Sequence, residues 1–161
     1  MSEMLKVGMA DLKVCKSPDQ LTTLGLGSCV GIAIRDPITR IGGLAHVMLP
    51  SSKQIKNNSN IYKFADTGIE ELVRQMEVLG ASRKRMVAKM AGGAQMFAFQ
   101  NSSSMVRIGE QNVEASKAKL AELQIPLLAS ETGENYGRTV ILTPETGQFV
   151  IRAVGKPERS I

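Results

Sequence analysis

Between Leu21 and Leu49 apolar and polar positions recur in three strand-length runs. Leu21–Leu26 leads into Gly27-Ser28, and Val30, Ile32 and Ile34 then alternate with Gly31, Ala33 and Arg35. Asp36-Pro37 opens a turn in which the fixed φ of proline suits the bend, and Ile41–Leu49 forms the next strand. The two-residue period puts His46 on one face with Leu44 and Met48. Pro50–Phe64 loses this pattern: it is polar, rich in Ser, Asn and Lys, and reads as a surface loop.

The period then changes. Ile69, Leu72, Val73, Met76 and Leu79 form one apolar stripe at helical spacing, with Asp66 or Thr67 as cap and Gly80 as stop. Arg85–Met90 reads as a strand that empties into the glycine-rich loop Ala91-Gly92-Gly93-Ala94. A second helix is predicted from about Gly109 to Leu123, ended by Pro126. Leu127–Ser130, Thr139–Leu142 and Phe149–Val154 read as strands, the last two joined by the turn Thr143-Pro144-Glu145-Thr146-Gly147. Many strands, mostly antiparallel, with two main helices predict an α+β or layered α/β sandwich in a single domain over residues 1–161.

Composition narrows the chemistry. At 161 residues the chain is long enough for a core without staples, and 43% hydrophobic with 22% charged residues is ordinary for a globular protein. No apolar run approaches the roughly 20 residues of a membrane span. The first residues lack a basic stretch followed by an apolar one, so the cytoplasm is the expected location, without membrane insertion. Two cysteines and one histidine fit neither a disulfide framework nor a zinc site, and no metal or cofactor is expected. The net charge of +5 is scattered, its densest group being Arg83-Lys84-Arg85. With aromatics at 4%, stacking platforms for bases are scarce and nucleic acid is not an expected partner.

Candidate chemistry gathers at Leu24-Gly25-Leu26-Gly27-Ser28-Cys29-Val30-Gly31. Glycines around a cysteine allow a tight turn that leaves the sulfur open on one side. Backbone N–H groups near Gly27 and Ser28 can then face a developing oxyanion, as acyl transfer requires. The plainer reading is that Cys29 is a small buried hydrophobe. His46, the single histidine, strengthens the catalytic reading, because an imidazole on a neighbouring strand can take the thiol proton and later protonate a leaving ammonia. The plainer alternative is a half-buried strand histidine bonded to a carbonyl. A histidine base needs its other nitrogen held; Thr23, Asp36 and Asp66 are candidates that spacing does not separate, although Asp36 beside Pro37 also suits a turn. Cys15 has no such setting and reads as structural or surface. Gly92-Gly93-Ala94 lacks the Lys-Ser/Thr of a phosphate loop. It reads as a tight strand exit beside the site or, with Met96 and Phe97, as part of a docking surface. The plainer alternative places Met96 and Phe97 in the core.

Taken together, five blocks resemble the CheD family, the chemoreceptor glutamine deamidases of bacterial chemotaxis. They are Leu24–Val30, Gly42-Gly43-Leu44-Ala45-His46-Val47-Met48-Leu49-Pro50, Lys89–Phe97, Arg107-Ile108-Gly109-Glu110-Gln111-Asn112-Val113, and Thr146-Gly147. The resemblance runs in order from about residue 5 to residue 155. It implies Cys29 as nucleophile, His46 as base and Thr23 as the hydroxyl that supports the imidazole. It also implies a sandwich similar to the catalytic domain of cytotoxic necrotizing factor toxins, with chemotaxis receptors as substrate and the phosphatase CheC as a second partner. The chain departs from the family pattern at Glu131-Thr132-Gly133-Glu134 before Gly137-Arg138. Two rival readings are a non-catalytic adaptor that docks on receptors or CheC, and a transglutaminase or cysteine peptidase sharing the nucleophile. A pure adaptor has no need of an intact Thr23, Cys29 and His46.

Overall fold

The computed structural model describes residues 2–54, 59–95 and 107–161. Two five-stranded sheets stack face to face, and two helices cover one of them. In chain order the strands are β1 (Met4–Val7), β2 (Asp11–Lys16), β3 (Gln20–Leu26), β4 (Val30–Asp36), β5 (Ile41–Val47), β6 (Val87–Gly92), β7 (Leu127–Thr132), β8 (Arg138–Thr143), β9 (Gln148–Arg152) and β10 (Arg159–Ser160). The helices are α1 (Ala65–Leu79), between β5 and β6, and α2 (Ile108–Glu122), between β6 and β7. One sheet runs β1-β3-β8-β9-β10 and the other β2-β5-β4-β6-β7. β1 with β3 and β6 with β7 pair in parallel, while the remaining pairs are antiparallel. The fold is thus α+β, as the pattern predicts.

Two apolar layers follow from strand alternation. Val30, Ile32 and Ile34 of β4 and Ala45 and Val47 of β5 face α1, whose Ile69, Leu72, Val73 and Met76 are fully buried against them. The opposite faces, with Ala33, Leu44 and Cys29, meet Leu21, Leu26, Val140, Leu142 and Phe149 of the other sheet. β5 lies in the middle of this stack, and its paired glycines explain how. A Cβ on Gly42 would fall 2.6 Å from Pro144 Cγ of the opposing sheet, and one on Gly43 would fall 2.6 Å from Leu72 Cδ1 of α1. Successive residues point to opposite faces, so two adjacent glycines let both neighbouring layers close on the strand that carries His46.

Several expectations need correction. β1, β2 and β10 escape the hydrophobic pattern. β2 is an edge strand whose Lys13 and Lys16 interrupt the alternation, and edge strands commonly carry lysine. Residues 50–54 and 59–64 are more than a plain loop. They include short 3₁₀ turns at Ser52–Gln54 and Ile61–Lys63, and Phe64 is buried and bridges to Leu49. Residues 55–58 lie outside the described residues. Helix α1 begins at Ala65, before either expected cap. The Asp66 carboxylate instead accepts from the backbone N–H and hydroxyl of Ser52 (3.1 and 3.0 Å) and from Thr67 N–H (2.8 Å). Arg85 belongs to a 3₁₀ turn, and β6 extends through Ala91 and Gly92 before the chain bends.

Candidate active site

All three sequence candidates converge at one end of the inter-sheet layer. His46 sits near the end of β5, opposite Gly31 of β4. Carrying that register two residues further sets Cys29, which immediately precedes β4, level with Met48. Cys29 and His46 therefore occupy the same face of adjacent strands as diagonal neighbours, a relation within reach of long or aromatic side chains. Thr23 approaches from the other sheet, where β3 pairs with Val7 of β1. Its hydroxyl is 2.8 Å from the Val7 carbonyl and 2.7 Å from His46 Nδ1.

This geometry assigns the histidine tautomer. A hydroxyl has one hydrogen, and the Val7 carbonyl can only accept it, so Thr23 Oγ1 must accept from Nδ1–H. The lone pair then lies on Nε2, which is buried and has no hydrogen-bond partner among the described residues. Thr23 and His46 are both fully buried and Cys29 is 8% exposed. Burial lowers the His46 pKa from 6.5, the nearby Asp11 carboxylate working in the opposite direction. Burial likewise raises the Cys29 thiol from 9.0, partly offset by its own backbone N–H, which favours the thiolate. Both effects favour the neutral thiol and neutral imidazole at rest. Asp36 and Asp66, the other candidates to hold His46, are engaged elsewhere. Asp36 accepts from Arg85 Nε and Nη2 (3.0 and 2.8 Å) and from the backbone N–H of Ser82 (2.9 Å).

The Cys29 loop is held by the chain beyond β6. Gly93 N–H donates to the Cys29 carbonyl and Ala94 N–H to that of Gly27, each at 2.8 Å. Gly92 (φ +112°) must be glycine there, because a Cβ would sit 2.3 Å from the Cys29 carbonyl oxygen. Gly27 N–H is taken by the Gly25 carbonyl at 3.0 Å, so it is not available to an oxyanion. Ser28 and Cys29 N–H donate to no carbonyl of a described residue.

A family model described as CheD chemotactic sensory transduction matches residues 48–153. A probable chemoreceptor glutamine deamidase CheD from Lachnoclostridium phytofermentans is 62% identical over 161 residues, covering all of both chains. One from Syntrophomonas wolfei is 52% identical over the same full span of both chains. The chemoreceptor glutamine deamidase CheD of Halalkalibacterium halodurans is 48% identical over 162 aligned positions, again covering both chains fully. The chain belongs to the CheD family. Among solved structures, the Bacillus licheniformis hypothetical protein YfiH aligns with 72% of this chain and 47% of that one, at a TM-score of 0.43 and 13% identity. That likeness is too distant to bear on the argument.

The family match at residues 48–153 begins after Thr23, Cys29 and His46, whereas the alignments with the relatives from Lachnoclostridium phytofermentans and Syntrophomonas wolfei span all three positions. Gly92, Gly93 and Ala94, expected either as a tight strand exit beside the site or as part of a docking surface, are buried, and Gly93 and Ala94 hydrogen-bond to the Cys29 loop. Met96 and Phe97 lie outside the described residues. Cys15 is a buried free cysteine of the inter-sheet core, its thiol pushed up to about 11 by burial and then by Asp19, which makes it a poor nucleophile.

Three further groups were not singled out from the sequence. Gly109 opens α2 flush against the Gly93 turn, where a Cβ would lie 2.5 Å from the Ala94 carbonyl oxygen. Asn112, one turn on, is fully buried and reaches the Cys29 loop. Arg138 is 2% exposed, bonds Glu131 Oε2 (3.0 Å) and the Gly133 carbonyl (3.1 Å), and lies over the Tyr136 ring. Glu131 also accepts from Tyr136 Oη (2.9 Å) and pairs with Arg159. Glu131, the first residue of the Glu131–Glu134 stretch, is therefore the anion of a cluster beside Gly92, whose carbonyl accepts from Arg138 Nη1. The sequence signals for these groups are the Arg107–Val113 block, which holds Gly109 and Asn112, and the Gly137-Arg138 pair.

Proposed function

We propose that this chain hydrolyses glutamine side-chain amides in chemotaxis receptors, using Cys29 as nucleophile, His46 as base and Thr23 as the group that holds His46. One observation carries the reading. The Thr23 hydroxyl fixes the His46 tautomer at 2.7 Å and leaves Nε2, which has no hydrogen-bond partner among the described residues, on the face His46 shares with Cys29. The relatives, chemoreceptor glutamine deamidases aligned over the whole chain, supply the substrate class.

His46 Nε2 takes the Cys29 proton as sulfur attacks the amide carbon, and Ser28 and Cys29 N–H are placed to bind the oxyanion. The imidazolium passes that proton to the leaving nitrogen, the C–N bond breaks, and ammonia departs from a thioester. Water then adds with His46 as base, the C–S bond breaks, and the proton returns to sulfur. Glutamate and free thiol result. Because the resting pair is neutral, the thiolate forms only as attack proceeds.

The product adds one negative charge to a receptor helix, a local electrostatic change able to bias signalling. We place this activity in the cytoplasm, in a single domain spanning residues 1–161; no helix among the described residues is long and apolar enough to cross a membrane. The family resemblance supports two finer proposals: CheC as a second partner, and an architecture shared with the cytotoxic necrotizing factor catalytic domain. Failure of the purified proteins to co-migrate would remove the first, and a differing strand order would remove the second.

The test is ammonia release from receptor cytoplasmic domains. Cys29→Ala should abolish it, and Cys15→Ala should leave it nearly unchanged. Full activity in Cys29→Ala, or equal loss in Cys15→Ala, overturns the assignment.

A further inference from the structure

We infer that Asn112 is a positioning residue that sets the distance between the nucleophile and its base. The inference rests on the Cys29–His46 reading and extends it to a residue on a different element.

The Asn112 side chain is fully buried. Its Nδ2 donates to two backbone carbonyls at once, Ser28 O and Met48 O, each at 3.0 Å. Ser28 directly precedes Cys29, and Met48 follows His46 by two residues. One amide group thus ties the nucleophile loop to the end of the strand that carries the base. Beyond Val30 and Val47 the described β4–β5 ladder ends, so this is where the two segments would otherwise separate. Two carbonyl acceptors also settle the amide orientation, since only the NH₂ end can face both.

The burial of Asn112 has a cost that this geometry accounts for. Its Oδ1 is buried with no hydrogen-bond partner among the described residues. An apolar residue would fill the site without an orphaned acceptor, so packing alone gives no reason for an amide there. Helix α2 is seated closely against the site at this point. Gly109 seats its first turn on the Gly93 turn, and Ser116 Oγ donates to the Asn112 carbonyl at 2.7 Å. The clamp is therefore mounted on a packed helix rather than a loop, which suits a group that must hold a site to within about half an ångström.

A double-mutant cycle on thiol alkylation tests this without any receptor. Iodoacetamide labelling of Cys29 is timed in a Cys15→Ser background for the parent, His46→Gln, Asn112→Ala and the double variant. His46→Gln should slow labelling by roughly tenfold or more near neutral pH, because the base that accepts the thiol proton is gone. Asn112→Ala should slow it comparably, and the double variant should be little slower than either single one. Receptor deamidation by Asn112→Ala should show kcat reduced by roughly 10²-fold with KM nearly unchanged. Additive effects in the cycle, or a parental labelling rate in folded Asn112→Ala, overturn the positioning role. If His46→Gln alone leaves labelling unchanged, the Cys–His reading itself fails, and this inference fails with it. If Asn112→Ala does not fold, Asn112→Ser, which keeps one donor, takes its place in the cycle. Failure of both to fold assigns Asn112 to stability alone and contradicts the proposal.

Discussion

His46, the proposed base, is held by one hydroxyl whose single hydrogen is already committed. Thr23 donates to Val7 and so accepts from Nδ1, which leaves Nε2 as the basic atom. His46→Gln should therefore lower kcat by at least about 10²-fold, whereas Thr23→Ala should lower it less, because water can replace an orienting hydroxyl in part. Steady-state kinetics on folded variants checks this, and equal damage from both contradicts a purely orienting role for Thr23. The pH profile is a second check. Burial lowers His46 from 6.5, and the base must be neutral to act, so the acid limb of kcat/KM should lie below pH 6.5. Asp11→Asn removes an influence that raises this pKa and should move the limb to still lower pH. A limb above pH 7 would contradict the neutral-pair mechanism.

At the scale of elements, the site is built where strands end and glycines allow backbones to touch. β4 and β5 bring Cys29 and His46 to one face, β3 brings Thr23 across the sandwich, and the Gly92-Gly93 turn with α2 closes behind them. Gly92→Ala should therefore destabilise the protein by about 2 kcal/mol or more and reduce activity, since the new Cβ collides with the Cys29 carbonyl. Gly25 (φ +70°) has open space around it, so Gly25→Asn should cost less than about 1 kcal/mol. Denaturant midpoints at constant slope measure both. These elements also show what is legible in sequence. β4 and β5 read as strands from their short apolar runs and α1 from its uninterrupted apolar stripe, whereas β3 shifts register between Thr23 and Leu26. The α2 stripe hides Gly109, Asn112 and Ser116 among its buried positions, and hydrophobicity alone does not point to them. Gly92 and Gly93 are legible as a tight strand exit, but not the contacts they make, because the Cys29 carbonyl they approach is remote in the chain.

In the whole molecule, two apolar layers share the β2-β5-β4-β6-β7 sheet, and the chemistry sits at one end of the layer away from the helices. Residue types and their order suggest which groups react, because Cys29 and His46 fall on successive predicted strands. The choice of Thr23 over Asp36 and Asp66 needed either the family resemblance or the structure. The structure gives the reason, since both aspartates are tied to other partners. The central claim is that the chain converts a receptor glutamine to glutamate through Cys29. Peptide mass spectrometry of receptor cytoplasmic domains after incubation with the protein tests it most directly. The account predicts a gain of about 1 Da at particular glutamines, with no cut in the backbone, and no gain with Cys29→Ala. Unchanged glutamines with the parent protein, or the same gain with Cys29→Ala, would contradict it.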